Sequence, residues 1–257
     1  GCDGLVVSGS TGESPTLSDA EKDVLLRAVR EAVGTDAALI AGTGTYSTQE
    51  SVELTFQAAK AGADGVLVVT PYYNKPPQDA LLSHFRAVAD ASEIPVMLYD
   101  VPARTATKIA PETVLRAAEH PRIVAVKEAS SDLTSVARYA SRLPEGFQLY
   151  SGNDNETLAL QAWGAVGVVS VLGHLVAPRL REQFEAFDAG DIARVREIQA
   201  SYIDLFTTVF ETTNPIGIKA AMRMLGFRVG PPRPPLGPAS PDLEERIRRQ
   251  LEEIGAL

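Results

Sequence analysis

Arg122-Ile123-Val124-Ala125-Val126-Lys127 is a β-branched strand pattern that closes on an amine. In a parallel β/α protein such a run is buried on both faces, and the side chains at its C-terminal end look onto the active-site mouth. The run has six counterparts: Leu5–Ser8, Ala38–Ala41, Gly65–Thr70, Pro95–Tyr99, Phe147–Ser151 and Val166–Val171. Helical patterns separate them. In Asp19–Val33, residues Val24, Leu25, Ala28, Val29 and Ala32 recur at helical spacing behind the N-cap Ser18, and Glu21 completes a capping box. Further helices are predicted over Thr48–Ala61, Ala80–Ala91, Pro111–Ala118, Leu133–Arg142 and Glu156–Ala162. Strands alternating with helices argue for a parallel sheet with crossover helices.

After the last strand the period changes. Residues from about Pro178 to Leu225 read as two or more helices, with Pro178 and Pro215 suited to first-turn positions. Gly230–Pro238, with five prolines and two glycines, makes a stiff connector to a terminal helix from Pro241 to about Ile254. Seven β/α units predict an α/β fold of the TIM (β/α)8 barrel type with a C-terminal helical appendage. The first β/α unit is expected to be missing from this chain, which begins at Gly1 rather than methionine. The barrel is expected over 1–175, and the last barrel helix with the helical region over 176–257. An open doubly wound sheet is the competing count. The barrel is preferred because polar residues follow nearly every strand: Ser10 and Thr11, Thr43, Tyr72 and Tyr73, Tyr99, Lys127, Asn153. Ser8-Gly9-Ser10-Thr11-Gly12-Glu13 has neither the dinucleotide fingerprint nor the P-loop spacing, and Ser151-Gly152-Asn153-Asp154 places an acid where phosphate would want donors.

Composition narrows the function. The 257 residues carry a formal charge of −9, which argues against nucleic acid and anionic membranes as partners. A small anionic substrate must then be met by local positive groups. Cys2 is the only cysteine, so no intrachain disulfide or zinc cluster is indicated. No apolar run approaches the ~20 residues of a membrane span, and the cytoplasm is the expected compartment. His84, His120 and His174 have no second ligand at metal spacing, so no metal is expected.

An amine at a strand end can be a nucleophile toward a ketone when burial disfavours its ammonium form. It can equally snorkel outward or pair with Glu128. Alternation puts Ile123, Ala125 and Lys127 on one face, and Met97 and Tyr99 on one face of the neighbouring strand. If Lys127 enters the mouth, Tyr99 can too, and a phenol beside an amine is suited to the proton transfers of imine formation. A core tyrosine is the plainer reading. Arg104, in the loop after that strand, offers a fork matched to a carboxylate, or an ordinary surface ion pair. Tyr72 and Tyr73 sit in a loop held by three prolines, as in an interface or a lid.

Six motifs in order carry a family resemblance: Gly9-Ser10-Thr11-Gly12-Glu13-Ser14, Ala41-Gly42-Thr43-Gly44, Pro71-Tyr72-Tyr73-Asn74-Lys75-Pro76, Tyr99-Asp100-Val101-Pro102-Ala103-Arg104-Thr105, Val126-Lys127-Glu128-Ala129 and Asn214-Pro215-Ile216. Over nearly its whole length the chain resembles the dihydrodipicolinate synthase family of pyruvate-dependent class I aldolases. The resemblance implies that Lys127 forms a Schiff base with pyruvate and that the resulting enamine attacks L-aspartate 4-semialdehyde, on the way to lysine and diaminopimelate. It implies Tyr99 as proton donor in a relay with Ser10 and Tyr73. Thr11, Gly152 and the backbone at Val169 are implied for the pyruvate carboxylate and its surroundings, and Arg104 for the semialdehyde carboxylate. No cofactor is implied. Tyr73 is expected to reach a partner's site in a homotetramer built from dimers.

Two departures stand out. Ser10 replaces the family's usual threonine, a spelling shared with sialic-acid lyases, so N-acetylneuraminate or keto-deoxy sugar acid cleavage is a rival activity, and a non-catalytic binding barrel a rival class. In lysine-inhibited relatives a pocket is lined by positions matching Ser14, Pro15, Asp19, Lys22, Tyr46, Glu50 and Tyr72. Lys22 here sets a like charge where a lysine ligand would sit, and weak or absent feedback inhibition is expected.

Overall fold

The computed structural model describes residues 1–257. Seven strands, β1 (Gly4–Val7), β2 (Ala38–Gly42), β3 (Gly65–Val69), β4 (Val96–Asp100), β5 (Ile123–Glu128), β6 (Gln148–Ser151) and β7 (Ala165–Val168), form one sheet in the order β1-β2-β3-β4-β5-β6-β7. All six pairings are parallel. A doubly wound sheet would reverse its order partway along, and this one does not. The chain is an α/β protein with a seven-stranded parallel sheet.

Helices α1 (Asp19–Val33), α2 (Thr48–Lys60), α3 (Gln78–Ala91), the single turn α4 (Pro102–Thr105), α5 (Pro111–Ala118), α6 (Leu133–Ala140) and α7 (Thr157–Gln161) connect the strands. The first starts as its sequence requires: Ser18 Oγ accepts from the Glu21 amide while the Glu21 carboxylate accepts from the Ser18 amide, so two otherwise orphan donors are satisfied. Helices and sheet share one apolar core, in which Val66, Val68, Val96, Leu98 and Val126 meet Phe85, Val114 and Val136. A second, smaller cluster of Leu67, Tyr99, Val101 and Ala129, with Val6, Ile40, Val69 and Met97 against it, fills the other face of the sheet.

The expected face of Ile123 is corrected. The β4–β5 register shifts between Val96 and Met97, pairing Val96 with Ile123 but Met97 with Ala125. One extra residue on β5 turns Ile123 into the helix-side core beside Val126, and leaves Ala125 and Lys127 level with Met97 and Tyr99. The last strand ends at Val168 rather than Val171.

Two compact units divide the chain: one comprises Asp3–Gly9 and Leu17–Val169, the other Gly1–Cys2, Ser10–Thr16 and Ser170–Leu257. The second contains α8 (Gly173–Asp188), α9 (Ile192–Val209), α10 (Ile216–Met224) and α11 (Pro241–Glu253). Pro178 lies inside α8 rather than at its start, two residues beyond a kink where Val176 leaves helical geometry (φ −131, ψ 27). It therefore occupies the first turn of the segment after the kink, where a proline's missing donor costs little. Pro215 is the N-cap of α10. The proline-rich connector is held by Glu13, whose carboxylate accepts from Lys219 Nζ (2.6 Å) and the Arg233 amide (2.7 Å). Burial alone would raise the Glu13 pKa, but these partners outweigh it and hold the carboxyl below its ordinary value. No helix is long and apolar enough to cross a membrane.

Candidate active site

The parallel register brings Lys127 between Tyr99 of β4 and Tyr150 of β6 as direct cross-strand neighbours. Its Nζ lies 4.1 Å from the centroid of the Tyr99 ring, within the range of a cation–π contact. Glu128 does not pair with it. The pleat sends that carboxylate, 3% exposed, to the helix side, where Oε2 accepts from Tyr139 Oη (2.8 Å) and Oε1 from the Ser130 amide (2.6 Å). Lys127 is thus a half-buried amine with no ion pair, facing an aromatic ring.

Gly152 follows β6, and its amide donates to Glu128 O (2.7 Å). A Cβ built there would lie 2.8 Å from Ala129 Cβ, 2.9 Å from Glu128 O and 3.1 Å from Lys127 Cε. Only a residue without a side chain leaves the lysine stem its room. Gly167 serves Tyr150 likewise, since a Cβ there would lie 2.7 Å from Tyr150 Cε1. Val169 donates its amide to Ser151 O (2.8 Å), which leaves its carbonyl as the group available to a ligand.

The loops beyond β3 and β4 are tied together. Thr70 Oγ1 donates to Thr105 Oγ1 (2.9 Å), which itself donates to Thr107 O (2.9 Å). This knot anchors α4 and presents Arg104 on its exposed side with no acidic partner, so the surface ion pair is not formed. Tyr73 projects from the other loop with φ 74 and is 92% exposed. Its neighbour Tyr72 packs edge-to-face on Tyr46 at 5.4 Å.

Ser10 and Thr11 lie in the other unit. Thr11 Oγ1 accepts from Asn214 Nδ2 (2.9 Å), and Ser10 O accepts from the Glu13 amide (3.2 Å). Of the eight residues singled out from the sequence, Lys127, Tyr99 and Gly152 are in one cluster, and Thr11 is held by Asn214 of another motif. Tyr73 and Arg104 stand free on neighbouring loops. The histidines are otherwise engaged: His84 Nδ1 bonds Thr48 Oγ1 (2.9 Å), His120 Nε2 meets Asp90 (3.0 Å) and His174 Nδ1 meets Val171 O (2.8 Å).

Sequence reasoning overlooked one set of residues. Asp100, Glu128 and Tyr139 form a buried polar group on the helix side of β4 and β5. The signal was present, since Tyr99-Asp100 and Lys127-Glu128 each break an apolar run with two polar residues, and a strand must send them to opposite faces.

Fold and site together describe a parallel α/β protein whose strand-end residues surround a lysine amine. Comparison with known proteins narrows the class. The family model of the dihydrodipicolinate synthetase family matches residues 1–254. A curated relative from Synechococcus elongatus, named 4-hydroxy-tetrahydrodipicolinate synthase, is 49% identical over 256 residues, covering 99% of this chain and 86% of the relative. The crystal structure of dihydrodipicolinate synthase from Cyanidioschyzon merolae with lysine bound superposes with a TM-score of 0.97 at 44% identity, over 99% of this chain and 87% of that one. That of the chloride-inhibited enzyme from Acinetobacter baumannii complexed with pyruvate gives 0.95 at 34% identity, over 99% and 88%. The chain belongs to the dihydrodipicolinate synthetase family.

Proposed function

We propose that this chain is a lyase of lysine and diaminopimelate biosynthesis, a 4-hydroxy-tetrahydrodipicolinate synthase that condenses pyruvate with L-aspartate 4-semialdehyde. The observation that carries the reading is the unpaired Lys127 amine over the Tyr99 ring, in a chain whose relatives bear that name along their length. Lys127 Nζ adds to the pyruvate ketone, and loss of water from the carbinolamine leaves an imine. A methyl proton departs to give the enamine, whose carbon bonds to the aldehyde carbon while the aldehyde oxygen takes up a proton. The substrate amine then adds to the imine carbon and expels Lys127 as the ring closes.

Each step moves a proton, and Tyr99 is the phenol at hand, with Ser10 and Tyr73 as its relay. Thr11, Gly152 and the Val169 carbonyl surround the pyruvate carboxylate and its neighbouring groups. Arg104, exposed and unpaired, is free to fork the semialdehyde carboxylate. The scaffold is a (β/α)8 barrel working in the cytoplasm as a homotetramer built from dimers. A ring as exposed as that of Tyr73 fits a subunit whose partner covers it.

Borohydride reduction in the presence of pyruvate tests the reading. The expected result is a covalent adduct on the tryptic peptide bearing Lys127, with turnover when semialdehyde is supplied. No adduct would defeat the imine mechanism; an adduct with cleavage of N-acetylneuraminate or a keto-deoxy sugar acid, and no use of semialdehyde, would transfer the chain to a sister activity.

A further inference from the structure

The reacting pair has a second pair behind it. Asp100 and Glu128 directly follow Tyr99 and Lys127, and are themselves cross-strand partners at the ends of β4 and β5. Both carboxyls are buried, at 2% and 3% exposure. The strands that carry them lie ~4.8 Å apart, and the Glu128 charge disfavours a second charge on Asp100 in a medium that screens poorly. Backbone bonds lock the same corner: the Ala129 amide donates to Asp100 O (2.9 Å) and the Gly152 amide to Glu128 O (2.7 Å). The two residues that bear the carboxyls are thus tied through their main chain to Ala129 and Gly152, beside the amine and the phenol.

We propose that Asp100 and Glu128 are positioning residues for the proposed imine chemistry, a carboxyl pair that holds the ends of β4 and β5 in register only while it retains one proton. The charged and titratable groups around Asp100 are Glu128 of β5, Tyr139 of α6, and Lys108, whose ammonium is bound by Asp132 at the N-cap of α6. Asp100 Oδ1 accepts from the Ile109 amide (3.2 Å), and the Tyr139 hydroxyl already donates to Glu128. Burial first, then the Glu128 charge, push the Asp100 carboxyl up to about 8, against the lowering effects of the Ile109 amide and Lys108. Asp100 is therefore the site where the proton stays at neutral pH.

The test is the rate of pyruvate-adduct formation, quenched with borohydride, from pH 6.5 to 9.5 in the wild type, Asp100→Asn and Glu128→Gln. A single site with midpoint about 8 loses its protonated form about tenfold between pH 7 and 9, and the wild-type rate should fall accordingly. Asparagine keeps the acceptor for Ile109 and cannot ionise, so the alkaline limb of Asp100→Asn should move up by a pH unit or more. Glu128→Gln, which removes the opposing charge, should move it the same way. A residue that merely filled space would leave the limb where it was, and coincident limbs in all three proteins would overturn the proposal.

Urea unfolding supplies an independent reading if a variant does not fold or if the wild type forms no adduct. The folded value lies above the unfolded one, so this contribution is complete below the unfolded pKa and is lost as pH rises through about 8. Wild-type stability should decline between pH 6 and 9. A flat or rising profile would refute the pair whatever the chemistry at Lys127.

Discussion

Gly152→Ala puts one methyl where the structure has no room for it. The new carbon would sit 2.8 Å from Ala129 Cβ and 2.9 Å from Glu128 O, closer than real Cβ atoms approach. These neighbours are the residue just past β5 and the backbone of its last residue, so something must move. The third contact, Lys127 Cε at 3.1 Å, is the far end of a flexible side chain and is the cheapest to displace. Overpacking of this kind costs about 1–3 kcal/mol of stability. Displacement of the amine by about 1 Å from its place over Tyr99 costs on the order of a hundredfold in rate. The expected phenotype is a folded protein, with urea stability reduced by no more than that amount, whose pyruvate-adduct formation is slowed about 10- to 100-fold. Circular dichroism and urea titration report the first quantity, and borohydride-quenched adduct mass the second. A folded Gly152→Ala protein forming adduct within about twofold of the wild-type rate would show that the lysine stem does not depend on this glycine, refuting the argument.

Arg104→Ala should keep the pyruvate adduct while raising KM for the semialdehyde at least about tenfold, as loss of a charge-assisted fork implies; equal KM values would withdraw the assignment. Burial lowers His84 to about 4, and its Nε2 has no partner. Its contribution to stability is whole above the unfolded value of 6.5 and is lost as pH falls toward 4, about 3 kcal/mol in all. Asp100, whose contribution runs the opposite way, is common to both proteins, so the change in urea stability from pH 4.5 to pH 7 should be less favourable in His84→Phe than in the wild type by most of that amount. The family resemblance implies that Lys22, bound to Asp19 at 3.0 Å, sets a positive charge where inhibited relatives hold a lysine ligand. Inhibition by lysine is therefore expected to be weak, and half-inhibition below about 1 mM would contradict the charge argument.

The sequence carried the strands well because β-branched runs bounded by turn residues have few other uses, and α1 because Ser18 and Glu21 mark its start by a specific pair of hydrogen bonds. Lys127 and Tyr99 were legible from alternation, which survives locally on each strand. The face of Ile123 was not, because a register shift depends on the neighbouring strand and leaves no trace in β5 alone. The single turn at Pro102–Thr105 was missed for a similar reason: four residues show no period, and the turn is held by the hydroxyls of Thr70 and Thr105. Asp100 was read only as part of a motif, since its burial is a tertiary fact.

The ion pair at Glu13 carries a consequence for the enzyme's tolerance of its medium. Glu13 and Lys219 are each only 14% exposed, and they secure the short segment that also carries Ser10 and Thr11. Surface pairs such as Arg27 with Asp23, at 58% and 38% exposed, weaken as added salt shortens the Debye length below about 8 Å. A sheltered pair is reached far less by the ionic atmosphere. The hydroxyl-bearing loop is thus fastened by electrostatics that changes of ionic strength scarcely loosen, although the protein as a whole is strongly acidic.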